Sequence, residues 1–151
     1  MAIQLSTGLR AAMLTDFGLE RMMRFGHIRI YSGVQPVSAN AEASGDLLAI
    51  VSTDGVMPQP GSTAGGLLMQ MGEYGDRLVK RGNWVLKGVS TGYAGWWRFV
   101  EAGYMTQGYD ANRPKIDGTV GESLQIGNLQ ITPQTHEVID DFLLYFPPSE
   151  V

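Results

Sequence analysis

The residues that could carry metal or acid–base chemistry in this chain are two histidines and two neighbouring aspartates. His27 and His136 are the only histidines, and each begins a predicted strand, where an exposed polar side chain is common. Two imidazoles and a carboxylate could bind a metal ion, but the wide separation of the histidines carries no spacing signature. Asp140 and Asp141 fall in a predicted final strand, so their carboxylates point to opposite faces and do not form one acid–base pair. We therefore expect no metal site and no catalytic carboxylate pair.

The glycine-rich and serine-bearing segments do not complete a nucleophile or phosphate-binding motif. Residues 61–66 lack the Lys-Ser/Thr that follows a P-loop, and they do not open a predicted helix. Residues 88–92 have the letters Gly-x-Ser-x-Gly, but a nucleophile elbow also needs a helix after the serine, and here a predicted strand follows. Ser90 also has no neighbouring base. The chain has no cysteine, which excludes disulfides, thiolate zinc ligands and a cysteine nucleophile. The sequence thus predicts no enzyme and no cofactor.

The remaining candidate aspartates are explained by turns. Asp54, Asp110 and Asp117 each lie in a predicted turn, where aspartate is favoured because its side chain bonds to the nearby backbone. A calcium loop would need oxygen ligands at alternating positions. No segment supplies such a pattern, so we interpret these aspartates as structural.

Composition places the chain among ordinary folded proteins and limits its partners. The 151 residues are 44% hydrophobic and 17% charged, with a net charge of −4, a balance that is typical of a globular domain. The acidic balance and the scattered basic residues argue against nucleic-acid binding. No apolar run approaches the roughly 20 residues of a membrane span, and no signal peptide is recognised. We expect one domain over residues 1–151, with an N-terminal arm or helix at 1–26 and a β body at 27–148.

The first segment predicts a helix over residues 6–24. Ser6 or Thr7 can cap it, and Leu9, Met13 and Phe17 recur on one face at helical spacing. Gly26 stands where a C-terminal glycine is expected. This apolar face either covers the core or forms a docking arm.

The rest of the chain has the short, glycine-punctuated segments of a β protein. The predicted strands are His27–Ser32 and residues 47–52, 67–71, 84–90, 93–102, 115–120, 123–131 and 136–146. Strands 84–90 and 93–102 are expected to pair with each other through a turn at 91–92. The pattern predicts a mainly β fold, an antiparallel β-sandwich or jelly-roll-like body with one N-terminal helix.

Two adjacent tryptophans make the strand at 93–102 the most informative part of the chain. Trp96 and Trp97 point to opposite faces of a strand, so they cannot share one core. Phe99 is in phase with Trp97, whereas Arg98 is in phase with Trp96. One tryptophan packs in the interior, and the other needs a second layer, a partner protein or a ligand to cover it. The sequence leaves open which of the two faces outward.

The surplus of aromatic and apolar side chains yields a set of candidate interface residues. Aromatic residues and arginine are enriched in protein interfaces. A core with one exposed ring, and a sugar-binding platform built from Trp96, Tyr93 or Tyr104, are the alternatives. The candidate interface residues are Leu9, Met13, Phe17, Tyr93, Trp96, Arg98, Tyr104 and Tyr109.

Several segments together resemble a family of small structural proteins encoded by tailed bacteriophages. They are residues 28–36, 39–41, 45–48, 92–99 and 117–121, and the similarity extends from Ser6 to the last strand. The resemblance implies a virion component, with a capsid decoration (cement) protein as the expected role. Its implied partner is the major capsid protein, on which it would sit as a dimer or trimer. It would be found at the capsid surface, and in the host cytoplasm before assembly. A tail-associated structural protein or a carbohydrate-binding adhesin module is the alternative role.

Overall fold

The computed structural model of the chain describes residues 3–15, 18–73, 75, 77–103 and 108–145. The fold is mainly β, its sheets are antiparallel and its helices are few and short, which confirms the predicted class. The helices of the described residues are α1 (Thr7–Thr15) and α2 (Leu19–Met23). The strands are β1 (Gln4–Leu5), β2 (His27–Ser32), β3 (Leu47–Thr53), β4 (Leu68–Met71), β5 (Arg77–Arg81), β6 (Trp84–Gly88), β7 (Gly92–Val100), β8 (Lys115–Thr119), β9 (Gln130–Ile131), β10 (His136–Val138) and β11 (Leu143–Tyr145).

The strands form one large and one small sheet. The large sheet has the order β1-β8-β7-β2-β3-β6-β10, and β9 pairs with the beginning of β7. The small sheet has the order β11-β5-β4. The expected pairing of 84–90 with 93–102 is wrong, because β6 lies between β3 and β10 while β7 lies between β2 and β8. The amides of Val89 and Ser90 both donate to the Leu48 carbonyl, so the connection runs past β3 and does not fold back as a hairpin.

The core lies on one face of the large sheet. This inner face packs against α1, α2 and the small sheet through alternate strand residues, as the period of two requires. Phe142, just before β11, joins the two sheets: its ring centroid lies 5.0 Å from that of Trp84 and 5.5 Å from that of Trp97. Inner-face residues of the core are Ile28, Ile30, Val51, Trp84, Leu86, Trp97, Phe99 and Ile116.

The single helix expected over 6–24 is replaced by two short ones. Ser6 caps α1 as expected, since its Oγ accepts a hydrogen bond from the Leu9 amide at 3.2 Å. Gly18 is extended (φ −72°, ψ 168°) at the start of α2, so the helical backbone does not run through it. The left-handed residue after α2 is Phe25 (φ 67°), not Gly26. Gly26 is instead required by packing, because a Cβ there would overlap the Val100 carbonyl.

The final strand expected over 136–146 is also divided. Strand β10 pairs with β6 in the large sheet, whereas β11 pairs with β5 in the small one. Asp140 and Asp141 lie in the connection between them and are exposed, so neither belongs to a strand. The strand expected over 123–131 is reduced to β9.

Candidate protein-binding site

Trp96 is the tryptophan on the outer face of the large sheet, the face opposite the core. Its side chain is fully buried and stacks on Tyr31, with ring centroids 4.7 Å apart and an interplanar angle of 17°. Its Nε1 donates to the Ser44 carbonyl at 3.2 Å. Of the three covers that the sequence left open for this tryptophan, the structure shows the second layer, which comes from the chain itself.

That second layer is the connection of residues 33–46 between β2 and β3, hereafter the covering loop. Its carbonyls accept hydrogen bonds from the sheet, including one from Arg98 Nη1 to Ala41 at 2.8 Å. At its beginning, Gln35 Oε1 accepts from the Thr119 hydroxyl at 2.9 Å. Near its middle, Asn40 Oδ1 accepts from the Thr7 amide at the start of α1. The loop is thus joined to two strands and a helix.

Arg98 and Asp117 form a buried ion pair beneath the covering loop. Arg98 Nε lies 2.7 Å from Asp117 Oδ1, and Nη2 lies 2.9 Å from Oδ2. The two residues are direct neighbours on β7 and β8, so the expectation of a turn at Asp117 is wrong. Burial raises the pKa of the Asp117 carboxyl, and the hydrogen bonds from Arg98 oppose that shift. The two contacts give the pair the bidentate geometry of a charge-assisted carboxylate–guanidinium interaction.

Further polar side chains are buried on the same outer face. His27 was expected to be exposed, but it is buried. Burial, assisted by the nearby Arg29 charge, lowers its pKa to about 4, so the imidazole is neutral at pH 7. Burial also raises the pKa of Tyr31 and lowers that of Lys115. This layer is built from residues that strand alternation alone would have assigned to solvent.

The candidate interface residues separate into four groups. Leu9, Trp96 and Arg98 are buried, which corrects their selection as contact residues, since the chain's own helix, sheet and covering loop surround them. Tyr93 and Tyr109 are exposed, with 65% and 72% of their surface accessible. Met13 lines a groove and is half-buried. Phe17 and Tyr104 lie outside the described residues.

The groove at Met13 is the apolar depression that α1 and α2 form with the small sheet. It has a volume of about 350 Å³, and Glu20 and Arg77 add charged side chains to its lining. The apolar side chains that define this Met13 groove are Met13, Leu19, Met71, Leu78 and Leu144.

Large apolar side chains remain open to solvent at and beside the Met13 groove. Met71 is 61% exposed, and Leu14, which follows Met13 in α1, is 86% exposed. Methionine adapts its shape to different partners, and an apolar surface of this kind marks a contact site when its members are contiguous. The sequence predicted a strand over 67–71, but its pattern did not place Met71 beside the helix. Only the position of the small sheet brings the two elements together.

The described part of the chain contains neither a metal-binding cluster nor a membrane-spanning helix. No group of three or more His, Asp or Glu side chains there could hold a metal ion. Neither α1 nor α2, the helices of the described residues, is long and apolar enough to cross a membrane. In comparisons with known proteins, no protein-family model, no curated protein and no solved structure matches the chain.

Proposed function

We propose that this chain is a structural protein of a tailed-bacteriophage virion, a capsid decoration protein that binds the major capsid protein. The observation that carries the proposal is the Met13 groove, an apolar depression whose neighbours Leu14 and Met71 are open to solvent. The sequence resemblance supports the virion setting. Its segments include most of β2, β7 and β8, which form the middle of the large sheet.

A protein partner would gain free energy by covering this surface. Full burial of a leucine or methionine side chain contributes about 1.5–3 kcal/mol relative to its exposed state. Met71, which lines the groove, and Leu14, which follows Met13 in α1, are therefore expected to contribute most among the described residues. A complete contact of standard size would bury about 1,600 Å² in total, so neighbouring surfaces must take part as well.

The carbohydrate-binding alternative loses its central residue. A sugar platform needs an aromatic face open to solvent, but the Trp96 ring is fully buried and stacked on Tyr31. Arg98 also approaches that ring, with its guanidinium carbon 5.2 Å from the centroid. Tyr93 remains as an exposed ring. Protein binding at the Met13 groove is the better-supported function.

The proposal is tested by co-sedimentation with shells assembled from the major capsid protein of the phage genome that encodes the chain. We expect saturable binding by the wild-type protein and a rise in the thermal resistance of the shells. Leu14→Asp and Met71→Asp should each weaken binding at least tenfold, since each places a charge in an apolar contact. Val138→Asp is the matched control, because Val138 is 53% exposed at the edge of the large sheet and outside the groove.

Two outcomes have different meanings. Absence of wild-type binding to the shells would overturn the decoration role. Wild-type binding that survives Leu14→Asp and Met71→Asp would retain the role and reject the Met13 groove as the contact. Circular dichroism of each variant must show an unchanged fold before its binding is interpreted.

A further inference from the structure

Arg29 is a buried cation that pairs with no carboxylate among the described residues. Only 4% of its surface is exposed. Burying a charge is strongly unfavourable unless an opposite charge or several hydrogen bonds compensate for it. In the register of the large sheet Arg29 lies opposite Arg98 on β7 and opposite Ile50 on β3. Its direct cross-strand neighbours are therefore another cation and an aliphatic side chain.

The hydrogen bonds of Arg29 go to neutral groups. Its Nε donates to the Tyr31 hydroxyl at 3.0 Å, and its Nη1 lies 3.5 Å from His27 Nε2. A guanidinium can only donate, so a hydrogen bond over this distance requires the lone pair of His27 at Nε2. Within the described residues Arg29 makes no ion pair. Asp117 lies on the far side of Arg98 in the same cross-strand row as Arg29. Its carboxylate already receives two hydrogen bonds from Arg98.

A second buried polar group lies on the same face beside this arginine. Ser52 is 1% exposed, and its Oγ has no hydrogen-bond partner among the residues that the structure describes. The β2–β3 register pairs Ile28 with Val51, so the next step along it places Ser52 opposite His27. A buried hydroxyl without a partner is unfavourable by about 1–3 kcal/mol. The guanidinium and the hydroxyl are both donors that a single anion could satisfy.

We propose that the outer face of the large sheet binds one small inorganic anion, chloride in ordinary solution, against the Arg29 guanidinium and within reach of Ser52. The burial of Arg29 favours a small anion. A larger organic anion or a side chain from another protein would have to displace the part of the chain that covers this face. This site is separate from the Met13 groove and does not depend on the proposed virion role.

The site is tested first in solution, by thermal unfolding in chloride and in gluconate at equal ionic strength. Chloride at ten times its Kd should raise the Tm of the wild-type protein by about 3–6 °C. Arg29→Met should abolish the difference between the two salts. Arg24→Gln is the matched control, since Arg24 is an exposed arginine paired with Glu20, and it should retain the difference in full.

A crystal grown in bromide gives the second measurement and covers the case in which Arg29→Met fails to fold. An anomalous peak within about 3.5 Å of the Arg29 guanidinium nitrogens is expected, and Ser52→Ala should lower its occupancy. The proposal is overturned if bromide is found only at exposed basic side chains, an adventitious ion only. A chloride-dependent Tm rise that persists in Arg29→Met would overturn it equally.

Discussion

Arg98 donates to both carboxylate oxygens of Asp117, its direct neighbour across β7 and β8, at 2.7 and 2.9 Å. The same guanidinium donates through Nη1 to the Ala41 carbonyl of the covering loop. One side chain therefore joins two strands and the layer above them. This arrangement accounts for a charged residue beside the two tryptophans without any external partner.

Replacement of Asp117 by asparagine should destabilise the protein strongly. The substitution keeps the shape of the side chain but leaves the buried Arg98 charge without its carboxylate, a loss of about 3–5 kcal/mol. The free energy of unfolding from urea titration measures it. Glu101→Gln is the control, because the Glu101–Arg113 pair lies at 2.6 Å but is partly exposed and should contribute less than about 1 kcal/mol. Equal losses in the two variants would contradict a special role for the buried pair.

Truncation of Trp96 should loosen the covering loop before it unfolds the sheet. Trp96→Ala removes a buried aromatic ring, at about 3–5 kcal/mol, together with the donor to the Ser44 carbonyl. Trp96→Phe retains an aromatic ring next to Tyr31 and removes that donor with only part of the buried ring volume, so its loss should be smaller. Hydrogen–deuterium exchange of a peptide covering residues 33–46 should accelerate in both variants relative to β3. Unchanged exchange in Trp96→Phe would show that the indole nitrogen does not hold the loop.

The buried His27 should make the protein less stable as the solution becomes acidic. Its pKa falls from 6.5 to about 4 on folding. Between pH 6.5 and pH 4, His27 therefore binds a proton in the unfolded chain but not in the folded one. The stability present above about pH 6.5 is lost as the pH falls through 4, a change of about 3 kcal/mol. Urea titrations at pH 7.5, 6, 5 and 4.5 should show a shallower dependence in His27→Gln. His136→Gln, at an exposed position, should follow the wild type.

A methyl group at Gly95 should be far less tolerated than one at Gly18. A Cβ on Gly95 would overlap the Gly33 carbonyl, whereas a Cβ on Gly18 meets nothing within 4 Å. Gly18 also has φ −72° and ψ 168°, a backbone that alanine adopts without strain. Gly95→Ala should therefore lower the Tm, while Gly18→Ala should leave it unchanged or raise the stability by about 0.4–1 kcal/mol. A tolerated Gly95→Ala would mean that the covering loop can shift at Gly33.

Much of the sheet could be predicted because side chains along a strand point alternately to its two faces, a pattern that is visible within each strand's own sequence. His27–Ser32 is a strand with the predicted bounds, and Trp97 and Phe99 face the core together. The predicted helix was too long, because the prediction followed the apolar spacing of Leu9, Met13 and Phe17 and took too little account of Gly18. Local pattern could not determine which strands pair, and the hairpin expected between 84–90 and 93–102 failed for that reason.

The outer layer and the Met13 groove depend on long-range placement. The covering loop has no periodicity, so the sequence did not show that it would bury Trp96 and Arg98. The pairing of Arg98 with Asp117 depends on the register between β7 and β8. The sequence did not reveal that register, because Asp117 followed by a glycine is a pattern typical of a turn. Met71 became part of a candidate site only when the small sheet was placed against α1 and α2.

The central position of β7 also means that β2 must wait for one of its two neighbours during synthesis, because β7 comes much later in the chain than β3. Strand β2 can pair with β3 once residue 53 has been made, but its other edge needs β7, which ends at Val100. Until then a nascent chain presents an open strand edge that carries Arg29. Pairing between distant segments is slow because loop closure precedes the gain of contacts. Refolding of the full chain should therefore be limited by the closure of β2 onto β7, and a ribosome-bound chain that ends before Trp96 should be prone to edge-to-edge association.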